Sequence, residues 1–239
     1  MRYVSEPREV LVDIRYATLE DCATVEGALV AIDVLRAFTT AAFAFAAGAD
    51  RIVLAGAVDE AFRLREELPG ALIMGEQGGL RVAGFDFGNS PSELRGLDLS
   101  GQTLIQRTSA GTQGLVLAAQ AGPLMAASLC NARATVDYLA ALEPERLTLL
   151  ATGVHPGEDG DEDIACGELI AARLRGQSLP LPTLMERVRL SSWGARFAGD
   201  RPADFPTADL ELALQVDRFA FAMPVQREDD HLVMRAERV

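Results

Sequence analysis

The sequence contains no lysine, since all 22 positions that carry a basic side chain are arginine. This absence excludes enzymes that form a Schiff base or hold pyridoxal phosphate through lysine, and it excludes a Walker-type phosphate loop. Histidine occurs only at His155 and His231, so one chain cannot supply a three-histidine metal site. Cys22, Cys130 and Cys166 are far apart and form no C-x-x-C pair for zinc or redox chemistry.

Long apolar runs and an excess of positive charge are also absent. No apolar run reaches the roughly 18 residues that a membrane span needs, and charged residues between Met1 and Ile14 interrupt the apolar segment of a signal peptide. We therefore expect a cytoplasmic protein with no membrane partner. The net charge of -13 argues against a nucleic-acid partner, because phosphate backbones are bound by basic surfaces.

Apolar runs alternate with helical patterns along most of the chain. Strands are predicted at Leu29–Ile32, Arg51–Leu54, Ala71–Met74, Thr103–Gln106, Leu124–Ala127 and Leu147–Ala151. Helices are predicted at Ala37–Ala47, Asp59–Leu68, Thr112–Ala121, Ala132–Leu142 and Ile164–Leu174. This alternation predicts an α/β fold with a largely parallel sheet that helices cover on both faces.

The last third of the chain departs from this alternation. Two helices are predicted at Leu184–Phe197 and Ala208–Gln215. Strands at Arg218–Val225 and His231–Ala236 then predict a hairpin, which we expect to add an antiparallel edge to the sheet. No linker or repeat indicates a boundary, so we expect a single domain over residues 1–239, with a motif-bearing core at about 28–170 and the C-terminal helices and hairpin at 180–239.

Polar residues recur at the predicted strand ends, where α/β sheets bind ligands. In chain order these residues are Asp33, Arg36, Thr39, Thr40, Glu76, Asn89, Ser90, Thr108, Ser109, Gly111, Thr112, Ser128, Asn131 and Asp163. Glycines and hydroxyls at helix starts offer backbone N–H groups to a phosphate, and Arg36 offers a bidentate fork. Asp33, Glu76 and Asp163 offer oxygen ligands to Mg²⁺.

These residues also have structural interpretations. Hydroxyls at helix starts are more often caps than phosphate ligands, and the acidic run Glu158–Asp163 is more often a solvated loop. Asp33 is either a ligand or a cap for the next helix, and Arg36 could pair with Asp33 or Glu76 instead of a ligand. Cys130 could be a nucleophile, but a cysteine at such a position is more often a small buried thiol.

Three known phosphatase patterns are missing. None of the cysteines has an arginine six positions later, as a cysteine phosphatase requires. The segment after Asp33 lacks the second acid of the aspartyl-phosphate type, and no Arg-His-Gly sequence indicates a histidine phosphatase. His155 lies in a loop of Gly and Pro and is interpreted as a surface residue.

Six segments, in order, resemble the signatures of the 2-phosphosulfolactate phosphatase family. They are Ile32–Thr40, Gly75–Glu76, Gly84–Pro91, Thr108–Thr112, Ser128–Ala132 and Glu162–Gly167. Beyond Gly176 the resemblance is one of general layout only. Two departures stand out: Ala110 replaces the usual Asn, and Gly160-Asp161 replaces the usual Ser-Leu before the acidic pair.

The resemblance implies a Mg²⁺-dependent phosphomonoesterase that converts 2-phosphosulfolactate to 3-sulfolactate and phosphate, a step of coenzyme M biosynthesis. It also implies a three-layer α/β/α fold with a central mixed, largely parallel sheet. In this interpretation Asp33, Glu76 and Asp163 hold Mg²⁺, Asp33 and Arg36 are catalytic, and the other strand-end residues bind the substrate. A metal-activated water is the favoured nucleophile, and a phospho-aspartate at Asp33 is the alternative.

Two other functions stay open at this point. One is a phosphatase that acts on a different phosphorylated 2-hydroxy acid, which would fit the change at Ala110. The other is a non-catalytic protein that binds an anionic metabolite. In each case the expected partner is a small anionic molecule, and a homodimer is left open.

Overall fold

The structure is a computed structural model that describes residues 12–198 and 203–239. Its strands are β1 Asp13–Ala17, β2 Ala28–Ile32, β3 Arg51–Leu54, β4 Leu72–Gly75, β5 Thr103–Arg107, β6 Leu124–Ala127, β7 Arg146–Ala151, β8 Phe221–Glu228, β9 His231–Met234 and β10 Glu237–Arg238. Its α-helices are α1 Ala37–Ala46, α2 Val58–Glu67, α3 Pro91–Leu94, α4 Gly111–Leu117, α5 Ala132–Leu142, α6 Asp161–Leu174, α7 Leu181–Leu190 and α8 Thr207–Ala213. Short 3₁₀ helices lie at Leu19–Thr24, Leu129–Asn131 and Gly194–Ala198.

The strands form one mixed sheet in the order β1-β7-β2-β6-β8-β9-β3-β5-β4, and β10 pairs with β8. The first four strands of this order are parallel to one another, as are the last three. The hairpin of β8 and β9 joins the two sets through antiparallel ladders to β6 and β3. The prediction of a largely parallel sheet within an α/β fold is confirmed.

The predicted position of the hairpin is wrong, because β8 and β9 lie at the centre of the sheet and not at its edge. The residues Ala222–Val225 and Leu232–Met234 are buried on both faces of the sheet. A continuous apolar run is typical of such an interior strand, whereas a strand at a solvated edge alternates apolar and polar residues. The sequence therefore held a signal for the central position.

Three antiparallel pairings separate β6 from β3. The strands of the set that contains β6 therefore run antiparallel to those of the set that contains β3. Neighbouring strands are rotated by roughly 20–25°, so the six steps from β2 to β4 accumulate a twist of about 120–150°. This rotation turns the carboxyl ends of β4 and β5 back toward that of β2. Residues after all three strands can therefore meet in one place.

The inner face of the sheet packs on α1, which is buried from Ala37 to Phe45. A helix that is apolar on all sides is typical of such a central position. On the outer face, α5, α6 and α7 cover the side of β2, β6 and β7, and α2 covers the side of β3, β4 and β5. These three layers confirm the α/β/α arrangement that the family resemblance implied.

Strand β1 and the predicted helix Leu184–Phe197 also differ from the sequence prediction. Strand β1 was not predicted, and it pairs with β7 at an edge of the sheet, where few of its residues need to be apolar. The predicted helix Leu184–Phe197 is divided between α7 and the 3₁₀ helix Gly194–Ala198. The hydroxyl of Ser191 donates to Val188 O and accepts from Gly194 N, so a side-chain turn interrupts the helix.

No helix in the described ranges is both long enough and apolar enough to cross a bilayer.

Candidate functional site

A cavity of about 290 Å³ lies beside the carboxyl ends of β2, β4, β5 and β7. Six of the residues predicted from the sequence line it, namely Asp33, Arg36, Glu76, Asn89, Ser109 and Asp163. Its other lining residues are Leu35, Gly78, Gly79, Ala110, Gly153, His155, Glu158, Glu162, Trp193 and Arg196. The cavity is therefore built from strand-end loops, with one wall from the segment that follows α7.

Asp33 follows β2 and is almost completely buried. Its Oδ1 accepts a hydrogen bond of 2.8 Å from the N–H of Ala37, the first residue of α1. A Cβ added at Gly111 would lie 2.7 Å from Asp33 Oδ2, so α4 can begin this close to the carboxylate only with glycine there. Asp33 thus holds the start of α1 and faces the cavity, and the two interpretations of this residue are compatible.

Glu162 and Asp163 lie in the first turn of α6 and are each 1% exposed. Asp163 accepts hydrogen bonds of 2.8 Å from Val34 N at Oδ1 and from Gly153 N at Oδ2, which fastens α6 to the ends of β2 and β7. A Cβ added at Gly153 would lie 2.9 Å from Glu162 Oε1 and 3.1 Å from Asp163 Oδ2. The two carboxylates therefore meet at one glycine.

The three carboxylates of Asp33, Glu162 and Asp163 interact electrostatically. Burial, with further contributions from Glu76 and Glu162, raises the pKa of Asp33 to about 7. Burial also raises the pKa of Asp163 well above its usual value, with Glu162 and Asp33 adding to the effect, and it raises the pKa of Glu162. Within residues 12–198 and 203–239 no ion pair with arginine compensates these charges, so the cluster must take up protons or bind a cation.

Glu76 also lines the cavity, but its oxygens accept hydrogen bonds from the protein. Its carboxylate accepts from the N–H groups of Gly79 and Ser109 and, at 3.2 Å, from the Ser109 hydroxyl. Glu76 thereby joins the loops after β4 and β5. In the part of the chain that the structure describes, no three His, Cys, Asp or Glu side chains are placed to hold a metal ion together.

Arg36 is buried, and its partner is Asp209 of α8, not Asp33 or Glu76. Nη1 donates to Asp209 Oδ2 at 2.8 Å and to the carbonyl of Asp204 at 3.0 Å, and Nη2 donates to the carbonyl of Gly79 at 3.2 Å. The guanidinium lies 5.4 and 5.2 Å from the ring centroids of Phe197 and Phe205. Arg36 is therefore held rigidly at the wall of the cavity.

Eight predicted site residues do not line the cavity: Thr39, Thr40, Ser90, Thr108, Gly111, Thr112, Ser128 and Asn131. The hydroxyls of Thr108 and Thr112 hydrogen-bond to each other at 3.3 Å, at the start of α4. Asn131 Oδ1 accepts from Ser128 N at 2.9 Å, and both residues are fully buried. Contacts within the protein thus account for the hydroxyls of Thr108 and Thr112 and for Asn131 Oδ1, whereas Asn131 Nδ2 is buried without a partner among the described residues. The predicted roles of these residues in substrate binding stay predictions.

Cys130 lies next to Ser128 and is also fully buried. Burial raises the pKa of its thiol to about 12. The thiolate needed for nucleophilic attack is therefore disfavoured at neutral pH, in agreement with the interpretation of Cys130 as a buried thiol.

Five lining residues with charged or aromatic side chains were missed or discounted by the sequence analysis: Glu158, Glu162, His155, Trp193 and Arg196. Glu162 lies in the acidic run that was interpreted as a solvated loop, yet its Oε2 is buried without a hydrogen-bond partner among the described residues. His155 is exposed, as predicted, but it stands at the mouth of the cavity. Trp193 and Arg196 lie outside every family-like segment, so no local pattern indicated them.

The two departures from the family pattern have different surroundings. Ala110 lines the cavity, so the missing carboxamide changes the surface that a ligand meets. Asp161 forms an ion pair of 2.5 Å with Arg187 and does not line the cavity. The additional negative charge at Asp161 is therefore compensated outside the site.

Fold and site together define a three-layer α/β protein with an acidic small-molecule cavity that carries arginine. A model of the family described as 2-phosphosulpholactate phosphatase matches residues 14–227, so the chain belongs to the 2-phosphosulfolactate phosphatase family. It is 32% identical over 202 residues to a probable 2-phosphosulfolactate phosphatase of Bacillus subtilis, covering 84% of this chain and 88% of that protein. The chain is also similar to a probable 2-phosphosulfolactate phosphatase of Carboxydothermus hydrogenoformans, with 49% identity over 47% of this chain and 46% of that protein. A third protein of the same description, from Synechocystis, is 38% identical over 68% of this chain and 65% of that protein.

Proposed function

We propose that this protein hydrolyses 2-phosphosulfolactate to 3-sulfolactate and phosphate, as the names of its relatives suggest. The observation that carries the proposal is the cluster of three buried carboxylates in a cavity that also presents arginine. The cavity volume, about 290 Å³, suits a small metabolite. We propose the cytoplasm as the place of this reaction and coenzyme M biosynthesis as one route that would use it.

The donor set of the cavity fits Mg²⁺. Glu162 Oε2 is buried without a partner among the described residues, and the neighbouring carboxylates of Asp33 and Asp163 lack a compensating cation. Mg²⁺ prefers oxygen ligands and is usually held by one or two carboxylates, water and substrate phosphate, so a complete protein cage is unnecessary. When bound, the ion would neutralise phosphate charge and polarise the ester.

We propose that one or two of the carboxylates of Asp33, Glu162 and Asp163 would hold the ion, with water and substrate phosphate as its other ligands. The predicted metal role of Glu76 stays a prediction, because its carboxylate already accepts N–H groups from Gly79 and Ser109. That arrangement gives Glu76 a second task, which is to fix the two loops that face the phosphate.

The protein's own residues would bind and orient the ester. The guanidinium of Arg36 donates hydrogen bonds to Asp209 and to two backbone carbonyls, and its remaining N–H groups are the donors that we propose for phosphate oxygens. Asn89 lines the same cavity, and its buried Oδ1 has no partner within the described ranges. We propose that Asn89 and Ser109 orient the substrate, while Asp33 orients the attacking water or itself accepts the phosphoryl group.

A second candidate is hydrolysis of another phosphorylated 2-hydroxy acid. The specific observation in its favour is that Ala110, in place of the usual Asn of the family, lies on the cavity wall. A smaller, apolar residue there would alter how the non-reacting end of the substrate is bound.

Phosphate release from a panel of esters tests both candidates. The purified protein with Mg²⁺ would be assayed with 2-phosphosulfolactate, phospholactate and phosphoglycolate, and then again after treatment with EDTA. We expect the highest kcat/KM for 2-phosphosulfolactate and loss of activity in EDTA that Mg²⁺ restores. A higher kcat/KM for phospholactate would favour the second candidate, and binding of these esters without phosphate release would indicate a non-catalytic protein.

A further inference from the structure

Arg196 is the more accessible of the two arginines that line the cavity within the described part of the chain. Its side chain is 37% exposed, whereas the side chain of Arg36 is 5% exposed and its charge is balanced by Asp209. A ligand can therefore reach the guanidinium of Arg196 more readily than that of Arg36.

The guanidinium of Arg196 is held at the cavity wall by two contacts. It lies 3.8 Å from the centroid of the Trp193 ring, which fixes its plane. Its Nη2 also forms an ion pair with Glu158, another lining residue. The carboxylate of Glu158 thus occupies the position in which a carboxylate or sulfonate of a ligand would be bound.

The wall also fixes the spacing between the two arginines. The ring of Trp193 lies 6.2 Å from that of Phe205, and the Phe205 ring lies 5.2 Å from the Arg36 guanidinium. Gly79 packs beneath both rings, since a Cβ added there would lie 3.2 Å from Trp193 and 3.3 Å from Phe205. Two cations held at the ends of one aromatic wall suit a ligand with two separate anionic groups.

We infer that Arg196 binds the second anionic group of the substrate, a carboxylate or a sulfonate, and that Glu158 occupies this subsite until the substrate displaces it. This inference rests on the proposed function, in which Arg36 and the cation that the carboxylates would hold bind the phosphate. The Glu158 side chain is 14% exposed and that of Arg196 is 37% exposed, so an incoming anion that replaces Glu158 exchanges one partly buried ion pair for another. Arg196 is then a residue that selects phosphoesters carrying a further negative charge.

Substitutions of opposite expected effect test the subsite. We expect Arg196→Gln to raise KM for 2-phosphosulfolactate at least tenfold with a much smaller change in kcat, and Arg196→Lys to recover part of the loss. Glu158→Gln should lower KM, because it removes the competing charge. Arg189→Gln is the matched control, since Arg189 is also paired with a glutamate at the surface but does not line the cavity.

The choice of substrates identifies the anion. The KM ratio of Arg196→Gln to the parent protein would be compared for phosphoglycolate, which adds only a carboxylate, and for the phosphate ester of 2-hydroxyethanesulfonate, which adds only a sulfonate. The ester with the larger ratio carries the group that Arg196 binds. An equal loss with p-nitrophenyl phosphate, which has no second anion, would overturn the inference, as would an unchanged KM in Arg196→Gln or a raised KM in Glu158→Gln.

Calorimetry with 3-sulfolactate separates this inference from the proposed function. If the parent protein hydrolyses none of the esters, the proposed function fails, yet weaker binding of 3-sulfolactate to Arg196→Gln than to the parent would still support the subsite. Equal binding to the parent and to the variant, or binding to neither, would overturn it. Since Glu158→Gln and Arg196→Gln are expected to act in opposite directions, a general loss of folding cannot imitate the result.

Discussion

The guanidinium of Arg36 and the carboxylate of Asp209 form an ion pair of 2.8 Å across a separation of 173 residues, with both side chains buried. The second oxygen of Asp209 accepts hydrogen bonds from the Ser90 hydroxyl at 2.8 Å and from Ser92 N at 3.0 Å. One carboxylate in α8 thus fixes the cavity arginine and the loop that carries Asn89. A residue of α8 therefore supports two cavity residues, Arg36 and Asn89, that come from the first half of the chain.

Asp209→Ala should destabilise the protein strongly. The substitution leaves the Arg36 charge buried without its partner and releases Ser90, and the loss of one member of a buried pair costs about 3–5 kcal/mol. Urea denaturation would measure the change in the free energy of unfolding. Glu211→Ala in the same helix is the control, since Glu211 is exposed and should change stability by no more than about 0.5 kcal/mol. Equal losses in the two variants would show that the ion pair has no special role.

The residues at the strand ends could be predicted because that prediction rests on local order. Each of Asp33, Glu76, Ser109 and Asp163 lies within one connection of a buried strand, and apolar runs mark such strands in any sequence. All four line the cavity. The same reasoning placed Ser128 and Asn131 beside them, but these side chains cap their own turn, and a pattern cannot distinguish a cap from a ligand.

Long-range contacts account for most of what the sequence did not predict. Neither the pairing of Arg36 with Asp209 nor the wall of Trp193 and Arg196 leaves a local signal, because each depends on how the C-terminal segment packs on the sheet. The central position of the hairpin is different. Its two strands contain continuous apolar runs, which are typical of interior strands. We instead expected the simpler arrangement, in which the hairpin adds an edge to the sheet.

Glu162→Gln should reduce activity far more than Asp161→Asn, although the two residues are adjacent. Glu162 faces the proposed metal position, where loss of one ligand typically costs at least about tenfold to a hundredfold in metal affinity or activity. Asp161 points to Arg187 and away from the cavity. Activity measured over a range of Mg²⁺ concentrations would show a raised Mg²⁺ requirement for Glu162→Gln alone. A normal requirement in that variant would remove Glu162 from the metal site.

The metal-free protein should lose stability as the pH rises. The pKa of Asp33 is raised from 3.8 to about 7, so the folded state keeps its proton in a pH range where the unfolded state has released it. The stabilisation is complete below about pH 4 and is lost as the pH rises through 7, an effect on the order of a few kcal/mol. Burial shifts Asp163 in the same direction.

Thermal denaturation in EDTA between pH 5 and pH 8 would measure this dependence. We expect the melting temperature of Asp33→Asn to vary less with pH than that of the parent protein. Excess Mg²⁺ should stabilise the parent most at the upper end of the range, where the carboxylates are ionised and bind the ion without competition from protons. A parent protein that becomes more stable toward pH 8 without metal would contradict the prediction.

Arg36→Lys tests whether the shape of the guanidinium matters beyond its charge. Nη1 of Arg36 donates to Asp209, and Nη2 donates to the carbonyl of Gly79. The guanidinium also lies over the rings of Phe197 and Phe205. A lysine ammonium is a single point charge, so it can pair with Asp209 but cannot hold both contacts and still offer a fork to the phosphate. We expect a smaller loss of stability than in Asp209→Ala.

We also expect kcat/KM of Arg36→Lys to fall at least about tenfold, which corresponds to about 1.4 kcal/mol of transition-state stabilisation. Arg65→Lys is the matched control, because Arg65 lies 5.2 Å over the Phe62 ring but does not line the cavity. Steady-state kinetics and urea denaturation of both variants would be measured together. A normal kcat/KM combined with reduced stability would make Arg36 a structural partner of Asp209, and Arg196 would then be the remaining described arginine at the cavity that could receive the phosphate.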